Sequence, residues 1–259
     1  MKLSAVIFDW AGTMVDFGSI APVIAMQKAF AQEGITLTDS EIRSGMGLAK
    51  RDHVTAILGS ERVSGAWSAR QGRDAVDADI DRIFEALVPL MADAGAERAT
   101  LIPGAAEIAR ALRAKGIRVG STTGYTRAMM EPILERAAAQ GYAPEVVVCA
   151  GEAASGRPAP FMIWRALETL GCWPTASVLK VDDAPVGILE GRNAGCLTVG
   201  VAASGNALGL DAESYGALTG NARTEGLTRA RSALASAGAD FVIDTVDDLL
   251  PLLESNGLI

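Results

Sequence analysis

One aspartate near the start of the chain stands where a nucleophile or a metal ligand would. Asp9 follows an apolar run and precedes a Gly-Thr turn, in the stretch FDWAGTMVD. A hydrolase of this kind usually needs a second carboxylate nearby as general acid and base. Two residues on, where the side chain of an extended chain points to the same side, the sequence has only Ala11. The alternative is that Asp9 is an ordinary turn or helix-capping aspartate.

Two further apolar runs end in side chains that carry oxygen atoms. Thr123 ends the run IRVGSTT, and Asp182 and Asp183 end the run SVLKVDD. Carboxylates brought together with Asp9 at one edge of a sheet can share a hard cation such as Mg²⁺, which prefers oxygen ligands. A threonine hydroxyl with neighbouring backbone N–H groups can hold phosphate oxygens. Ordinary turn chemistry is the alternative for Thr123.

Three further side chains are candidates for work on a charged substrate. Arg157, in GRPAPFMIW, can clamp a phosphoryl group, although a surface arginine is the alternative. Lys50 and His53, the only histidine in the chain, lie in MGLAKRDHV and share a helix face if this stretch is helical. A solvated lysine and a packing histidine are the alternative. Met46 lies close to Lys50 in the sequence and is a candidate for the same site.

The elements that must position these residues follow an alternating pattern. Short apolar runs alternate with helical stretches after residue 95, and this pattern predicts a parallel sheet covered on both faces. Between residues 20 and 94 only helical spacing is found, in the stretches 21–35, 39–58 and 77–95. We therefore predict an α/β fold: a doubly wound, mostly parallel, Rossmann-like core of residues 1–19 and 95–259, with an all-helical cap domain of residues 20–94. Ligands of such sheets bind beyond the carboxyl ends of the strands, and a cap inserted after the first strand would cover that edge.

Composition limits the class of protein. The chain has 259 residues, 49% of them hydrophobic, and a net charge of -8. A negative surface repels nucleic acid, whereas a small anionic substrate can still bind where positive charge is supplied locally. No stretch reaches the length of a membrane span, and we expect no targeting segment. The odd number of cysteines, Cys149, Cys172 and Cys196, is typical of a reducing compartment, so we expect a cytoplasmic protein.

The candidate residues together resemble the haloacid dehalogenase superfamily. Its four motifs match in order, at Asp9 in FDWAGT, Thr123 in STTG, Arg157 in GRPAP and Asp183 in VDD. Within that superfamily, the stretches DWAGTMVDFG, MGLAKRDHV and GSTTGYTRAMM are similar to the phosphonoacetaldehyde hydrolase (phosphonatase) family. The resemblance covers nearly the whole chain, including the helical insert.

The resemblance implies an activity and a role for each candidate residue. The activity is hydrolysis of the C–P bond of a small phosphonate, phosphonoacetaldehyde, to acetaldehyde and phosphate, by a homodimer. The implied roles are a nucleophile that becomes an aspartyl-phosphate (Asp9), a Schiff-base lysine (Lys50), a proton carrier (His53), substrate-binding residues (Met46, Thr123, Arg157) and ligands of Mg²⁺ (Asp9, the carbonyl of Ala11, Asp183). The chain departs from the family pattern after the fourth motif, which often reads Gly-Asp with a second aspartate four residues after the first. Here Asp182 replaces the glycine and Gly187 replaces that aspartate, so the outer shell of the metal site must differ.

The missing acid at position 11 has a chemical explanation. A phosphatase protonates a leaving oxygen, but a phosphonate would release a carbanion, which such an acid does not help. An imine between a lysine and the aldehyde can accept the electron pair instead. The absence of an acid at Ala11 is therefore consistent with the presence of Lys50 as the imine-forming lysine. A phosphomonoester hydrolase of the same fold and a non-catalytic binding protein remain as alternatives.

Overall fold

The computed structural model describes residues 2–259, and its centre is a six-stranded sheet in the order β3-β2-β1-β4-β5-β6. Every neighbouring pair is parallel, so the predicted mostly parallel α/β sheet is confirmed. The strands are β1 (Ala5–Phe8), β2 (Arg118–Thr123), β3 (Val146–Cys149), β4 (Val178–Asp182), β5 (Leu197–Val201) and β6 (Phe241–Ile243).

Twelve α-helices accompany the strands in the described part of the chain. They are α1 (Ala21–Gln32), α2 (Asp39–Arg43), α3 (Lys50–Leu58), α4 (Glu61–Gln71), α5 (Asp77–Glu97), α6 (Ala105–Ala114), α7 (Arg127–Ala139), α8 (Phe161–Leu170), α9 (Pro185–Ala194), α10 (Ala212–Ala217), α11 (Gly220–Ser236) and α12 (Leu249–Ser255). None of the described helices combines the length and the apolar character needed to cross a membrane.

Strand β1 shows why the sheet is covered on both faces. All four of its residues are buried, and alternate side chains of a strand point to opposite faces. Val6 and Phe8 belong to a cluster that includes residues of α6 and α7, whereas Ala5 and Ile7 pack with residues of α8. A strand buried on both sides must be apolar throughout, and this explains the unbroken run before Asp9.

The strand order fixes where a ligand can bind. The chain builds outward from β1 in one direction through β2 and β3, and in the other direction through β4, β5 and β6. Ligands of such sheets bind outside the carboxyl ends of the strands at the point where the order reverses. Phe8 is paired in register with Ser121 of β2 and with Val181 of β4, so the residues that follow these strands meet at one edge.

Helices α1 to α5 fill the chain between β1 and α6, and no strand lies among residues 20–94 of the described chain. The helical spacing over residues 39–58 is divided in the structure, because α2 ends at Arg43 and α3 begins only at Lys50. The interruption includes Gly47, whose φ of 89° is left-handed. A Cβ added to Gly47 would lie 2.5 Å from Val186 Cγ1. The division of the chain into a core and a cap of residues 20–94 stays a prediction. The term helical insert is used below for residues 20–94.

Candidate active site

Asp9 lies at the carboxyl end of β1 beside the end of β4. Its backbone N–H donates to the carbonyl of Val181 at 2.9 Å, which continues the pairing of the two strands by one residue. The chain then turns sharply at Gly12, where φ is 79°. An added Cβ on Gly12 would lie 2.3 Å from Asp183 Oδ2, so the close approach of this turn to the carboxylate requires glycine.

Three carboxylates meet at this edge. Asp9, Asp182 and Asp183 are all buried, and each has an oxygen within 4.8 Å of an oxygen of the other two. Burial raises the pKa of Asp9 to about 6, with a further contribution from the charge of Asp182, while Arg157 opposes the rise. Burial, Asp9 and Asp182 hold the pKa of Asp183 well above its usual range. The site therefore stabilises its ionised carboxylates only when positive charge is close by.

Arg157 and Thr123 approach the same edge from the β2 side. Arg157 is buried, and its Nη2 lies 2.8 Å from Asp9 Oδ1. The same Nη2 donates to the carbonyl of Thr122 at 2.7 Å, so the guanidinium is tied both to the candidate nucleophile and to β2. Thr123 is the last residue of β2, and its hydroxyl accepts from the backbone N–H of Tyr125 at 3.2 Å. Arg157 therefore contacts Asp9 directly, and Thr123 lies at the end of the strand that neighbours β1.

The helical insert contributes the amine. Lys50 is the first residue of α3 and is only 1% exposed. Its Nζ lies 5.0 Å from the centre of the Tyr125 ring, a distance at which the ring face attracts a cation. The segment before it sits directly on the core, since an added Cβ on Gly124 would lie 2.4 Å from the carbonyl oxygen of Leu48. The amine is thereby held between the insert and the core.

A single small cavity joins these parts. Its volume is about 20 Å³, which is room for about one water molecule. Seven of the predicted site residues line it: Asp9, Ala11, Met46, Lys50, Thr123, Arg157 and Asp183. Residues separated by more than one hundred positions in the chain are thus brought together.

His53 is the one predicted site residue that does not line this cavity. It lies one turn after Lys50 on α3 and is fully buried. Its Nε2 is 2.7 Å from the carbonyl of Ile42, so that nitrogen carries the proton and Nδ1 is left as the free acceptor. Burial, with the nearby charge of Lys50, lowers the pKa of His53 to about 3, which makes the neutral ring the stable form.

The structure adds a buried network that the sequence did not reveal. Lys180 lies in the middle of β4 with no exposed surface, and its Nζ is 3.0 Å from Asp182 Oδ2 and 3.3 Å from Glu190 Oε2. Glu190 Oε2 also accepts from Arg157 Nε at 2.9 Å and from the Thr122 hydroxyl at 3.0 Å. A lysine inside an apolar run was the available signal, because an uncompensated buried charge is rarely tolerated. Its partners lie on another element and could not be read from the sequence.

Known proteins are similar to this chain over nearly its whole length. A family model described as a haloacid dehalogenase-like hydrolase matches residues 3–195. The phosphonoacetaldehyde hydrolase of Paraburkholderia xenovorans is 46% identical, over 97% of this chain and 94% of that protein. The chain belongs to the phosphonoacetaldehyde hydrolase family of haloacid dehalogenase-like hydrolases. The phosphonoacetaldehyde hydrolase of Hahella chejuensis is 42% identical, over 97% of this chain and 86% of that protein.

A solved structure of the family has the same fold. The crystal structure of a phosphonoacetaldehyde hydrolase-like protein from Oleispira antarctica matches with a TM-score of 0.97 and 41% identity, over 98% of this chain and 92% of that chain. The resemblance inferred from the four motifs is thereby confirmed, and the chain is an enzyme of this hydrolase family. The roles of the individual residues stay predictions.

We predict that the buried network makes a large contribution to the stability of the fold. Lys180→Met keeps the length of the side chain but leaves Asp182 and Glu190 without their nearest ammonium group. Removing one partner of a buried ion pair typically costs about 3–5 kcal/mol, and we expect a loss of that order in the free energy of unfolding measured in urea.

The matched control is Lys115→Met. Lys115 Nζ lies 3.8 Å from Glu254 Oε1, and both side chains are about half exposed. Exposed pairs contribute about 0–1 kcal/mol, so this variant should unfold nearly as the wild type does. Equal losses in the two variants would contradict a special role for the network.

Proposed function

We propose that the enzyme hydrolyses the C–P bond of phosphonoacetaldehyde to give acetaldehyde and phosphate. The observation that carries this proposal is the joint lining of one cavity by Asp9, Lys50 and Ala11. A nucleophile and a buried amine share the site, while the position of the usual acid has only a methyl group. The names of the relatives support the same substrate.

The proposed reaction begins at the amine. Lys50 condenses with the aldehyde, releases water and forms an iminium. Asp9 attacks phosphorus, the C–P bond breaks, and its electron pair moves into the iminium to give a neutral enamine. Protonation of the enamine carbon and hydrolysis of the imine release acetaldehyde and free Lys50. Water then cleaves the aspartyl-phosphate, so one water is consumed overall.

The environment of Lys50 supports this role. The amine must be neutral to attack, and an ordinary lysine is almost entirely protonated near neutral pH. The pKa of Lys50 is lowered to about 8, chiefly by burial and also by the charge of Arg157, while the charges of Asp9 and Asp183 oppose the shift. The neutral fraction at pH 7 is thus raised by roughly two orders of magnitude over that of an exposed lysine.

We assign the remaining predicted site residues to substrate binding and to proton transfer. Thr123 and Arg157 bind the phosphonyl oxygens, and Met46 packs against the substrate near Lys50. His53 moves protons during imine formation. Its buried Nδ1 has no hydrogen-bond partner among the described residues, so the neutral ring keeps an unshared acceptor there, although the lowered pKa makes it a weak base.

The residues at the edge of the sheet fit Mg²⁺. A cluster of buried, mutually repelling carboxylates is the oxygen-rich donor set that this cation prefers. Asp9, Asp183 and the carbonyl of Ala11 would hold the ion. Its charge would allow an anionic nucleophile to approach an anionic phosphonate.

Asp182 supports the outer part of this metal site. An added Cβ on Gly187 would lie 2.0 Å from Asp182 Cγ, so the carboxylate of Asp182 occupies the space of the side chain that Gly187 lacks. Its Oδ1 accepts from the backbone N–H of Ala184 at 3.0 Å, which fixes its orientation. We propose that Asp182 replaces the missing second acid. The homodimer and the cytoplasmic location stay predictions.

The first test compares substrates. Wild type should release phosphate from phosphonoacetaldehyde and hardly any from simple monoesters, because Ala11 cannot protonate a leaving alkoxide. General acid catalysis contributes about 10²–10⁴-fold, so the monoester deficit should be of that order. Ala11→Asp should raise monoester hydrolysis and lower C–P cleavage, while Lys50→Ala should remove C–P cleavage alone. Brisk monoester hydrolysis by the wild type, without turnover of phosphonoacetaldehyde, would favour the phosphomonoester hydrolase.

The second test traps the covalent amine. Borohydride added together with phosphonoacetaldehyde should inactivate the enzyme and label a peptide containing Lys50, as read by mass spectrometry. Lys50→Arg should escape labelling and lose turnover, because a guanidinium stays protonated at usable pH. Lys28→Arg is the control and should behave as the wild type. Labelling of another lysine with Lys50 intact would refute the assignment.

The third test concerns the metal. Asp183→Ala should abolish Mg²⁺-dependent activity, and Asp182→Asn should weaken the apparent affinity for Mg²⁺ in an activity titration. Stabilisation against heat by Mg²⁺ should fall in both variants, which gives a readout independent of turnover. Asp81→Asn changes a surface carboxylate paired with Arg51 and should leave both measurements unchanged. An unaltered Mg²⁺ affinity in Asp182→Asn would mean that Asp182 has no part in metal binding.

A further inference from the structure

One arginine of the helical insert is bound to two loops of the core. Arg43, the last residue of α2, donates through Nη1 to the carbonyl of Gly18 at 2.9 Å and to Asn206 Oδ1 at 3.0 Å. Its Nη2 donates to the carbonyl of Gly209 at 3.1 Å. The planar fork of a guanidinium suits several acceptors at fixed positions, and a single ammonium does not replace it.

Asn206 also donates a hydrogen bond to Arg43 and links it to Asp183 at the edge of the sheet. Its Nδ2 donates to the carbonyl of Arg43 at 3.1 Å, so the two residues bind each other in both directions. Its backbone N–H donates to Asp183 Oδ2 at 2.7 Å. One buried residue of the core therefore contacts both the insert and a carboxylate of the candidate active site.

The loop is shaped around the guanidinium. Gly209 has a φ of 67°, and an added Cβ there would lie 2.7 Å from Arg43 Cζ. Side chains other than glycine would displace the arginine as well as strain the backbone. The segment between Arg43 and Lys50 is short, so fixing Arg43 on the core restricts where the amine can lie.

The site is closed in this arrangement. Lys50 is only 1% exposed and Asp9 is 7% exposed, so little of either side chain is open to solvent. A substrate enters only when the segment that carries Met46 and Lys50 moves away from the core. Arg43 lies only three residues before Met46, so its contacts with the core oppose that movement.

We propose that Arg43 and Asn206 are positioning residues that seat the Lys50 segment over Asp9 and bring it into register with Asp183. The contacts that Arg43 and Asn206 make between the insert and the core are called the seat below. They are present in the structure, and only their effect on turnover rests on the proposed function. Closure of the Lys50 segment over Asp9 is then favoured by hydrogen bonds outside the cavity. Substrate binding therefore has to supply less of the free energy needed for this closure.

The test uses Arg43→Lys in the full-length enzyme, with Arg62→Lys as the matched control. Arg62 binds Glu41 and the carbonyl of Thr36, both within the insert, so replacing it leaves the contacts of Arg43 with the core in place. Hydrogen exchange followed by mass spectrometry should show exchange about tenfold faster in residues 44–50 and 204–209 of Arg43→Lys. Peptides from β1 and β4 should be unchanged, and Arg62→Lys should match the wild type at both places.

Kinetics supply the second readout. The KM of Arg43→Lys for phosphonoacetaldehyde should rise about tenfold, and kcat should change less, because bound substrate still closes the site. Asn206→Ala removes the reciprocal side-chain bonds but keeps the backbone donor to Asp183, so it should act in the same direction. The double variant should lose less than the sum of the two, since both single changes remove the same bond.

The outcomes separate the two proposals. Local acceleration of exchange in an enzyme that does not turn over phosphonoacetaldehyde would refute the proposed function and leave the seat established. Unchanged exchange and unchanged KM in both Arg43→Lys and Asn206→Ala would overturn the seat. Acceleration spread equally over β1 and β4 would also overturn it, because Arg43 would then contribute only to general stability.

Discussion

The repulsion among three buried carboxylates is the constraint on which the rest of this structure depends. Asp9, Asp182 and Asp183 share an edge of the sheet from which water is nearly excluded. In a medium of low dielectric, such charges cannot all ionise without cations close to them. Arg157 and Lys180 supply two of these cations from within the fold. The proposed Mg²⁺ would supply charge on the side that faces the substrate.

The positive charges that compensate the carboxylates lie in two layers beneath the edge of the sheet. Lys180 and Glu190 lie beneath the edge, where they contact Asp182 and Arg157 and are themselves completely buried. Arg157 lies between this layer and the cavity, and it reaches Asp9 directly. A guanidinium fixed by Glu190 on one side can hold Asp9 on the other without being free to rotate. The orientation of Asp9 therefore depends on Lys180 and Glu190, which do not line the cavity.

Strand ends were predictable from the sequence, and contacts between elements were not. Asp9, Thr123 and Asp183 each end an apolar run, and parallel strands place such ends at one edge, so their meeting followed from the pattern alone. Arg157 and Lys50 stood out only through the family resemblance, because a basic residue in a turn or at a helix start is ordinary. The division of the helix at Gly47 was missed, since helical spacing continues on both sides of it. Glu190 carries no local signal at all, because its partners lie on β2, β4 and the segment before α8.

Two positions where an acid is missing are compensated in different ways. At Gly187 the compensation is steric: Asp182 projects its carboxylate into the space that a side chain there would need, so each of the two residues permits the other. Ala11 offers no acid to the cavity, and in the proposed reaction the compensating group is Lys50 of α3, which lines the same cavity. The first exchange preserves the charge of the site within the sheet. The second, in the proposed reaction, moves the electrophile from a fixed strand end to a segment that must leave and return with every turnover. An amine delivered in this way is useful only if its return is reproducible, which is why the contacts that seat the insert matter as much to this chemistry as the groups that line the cavity.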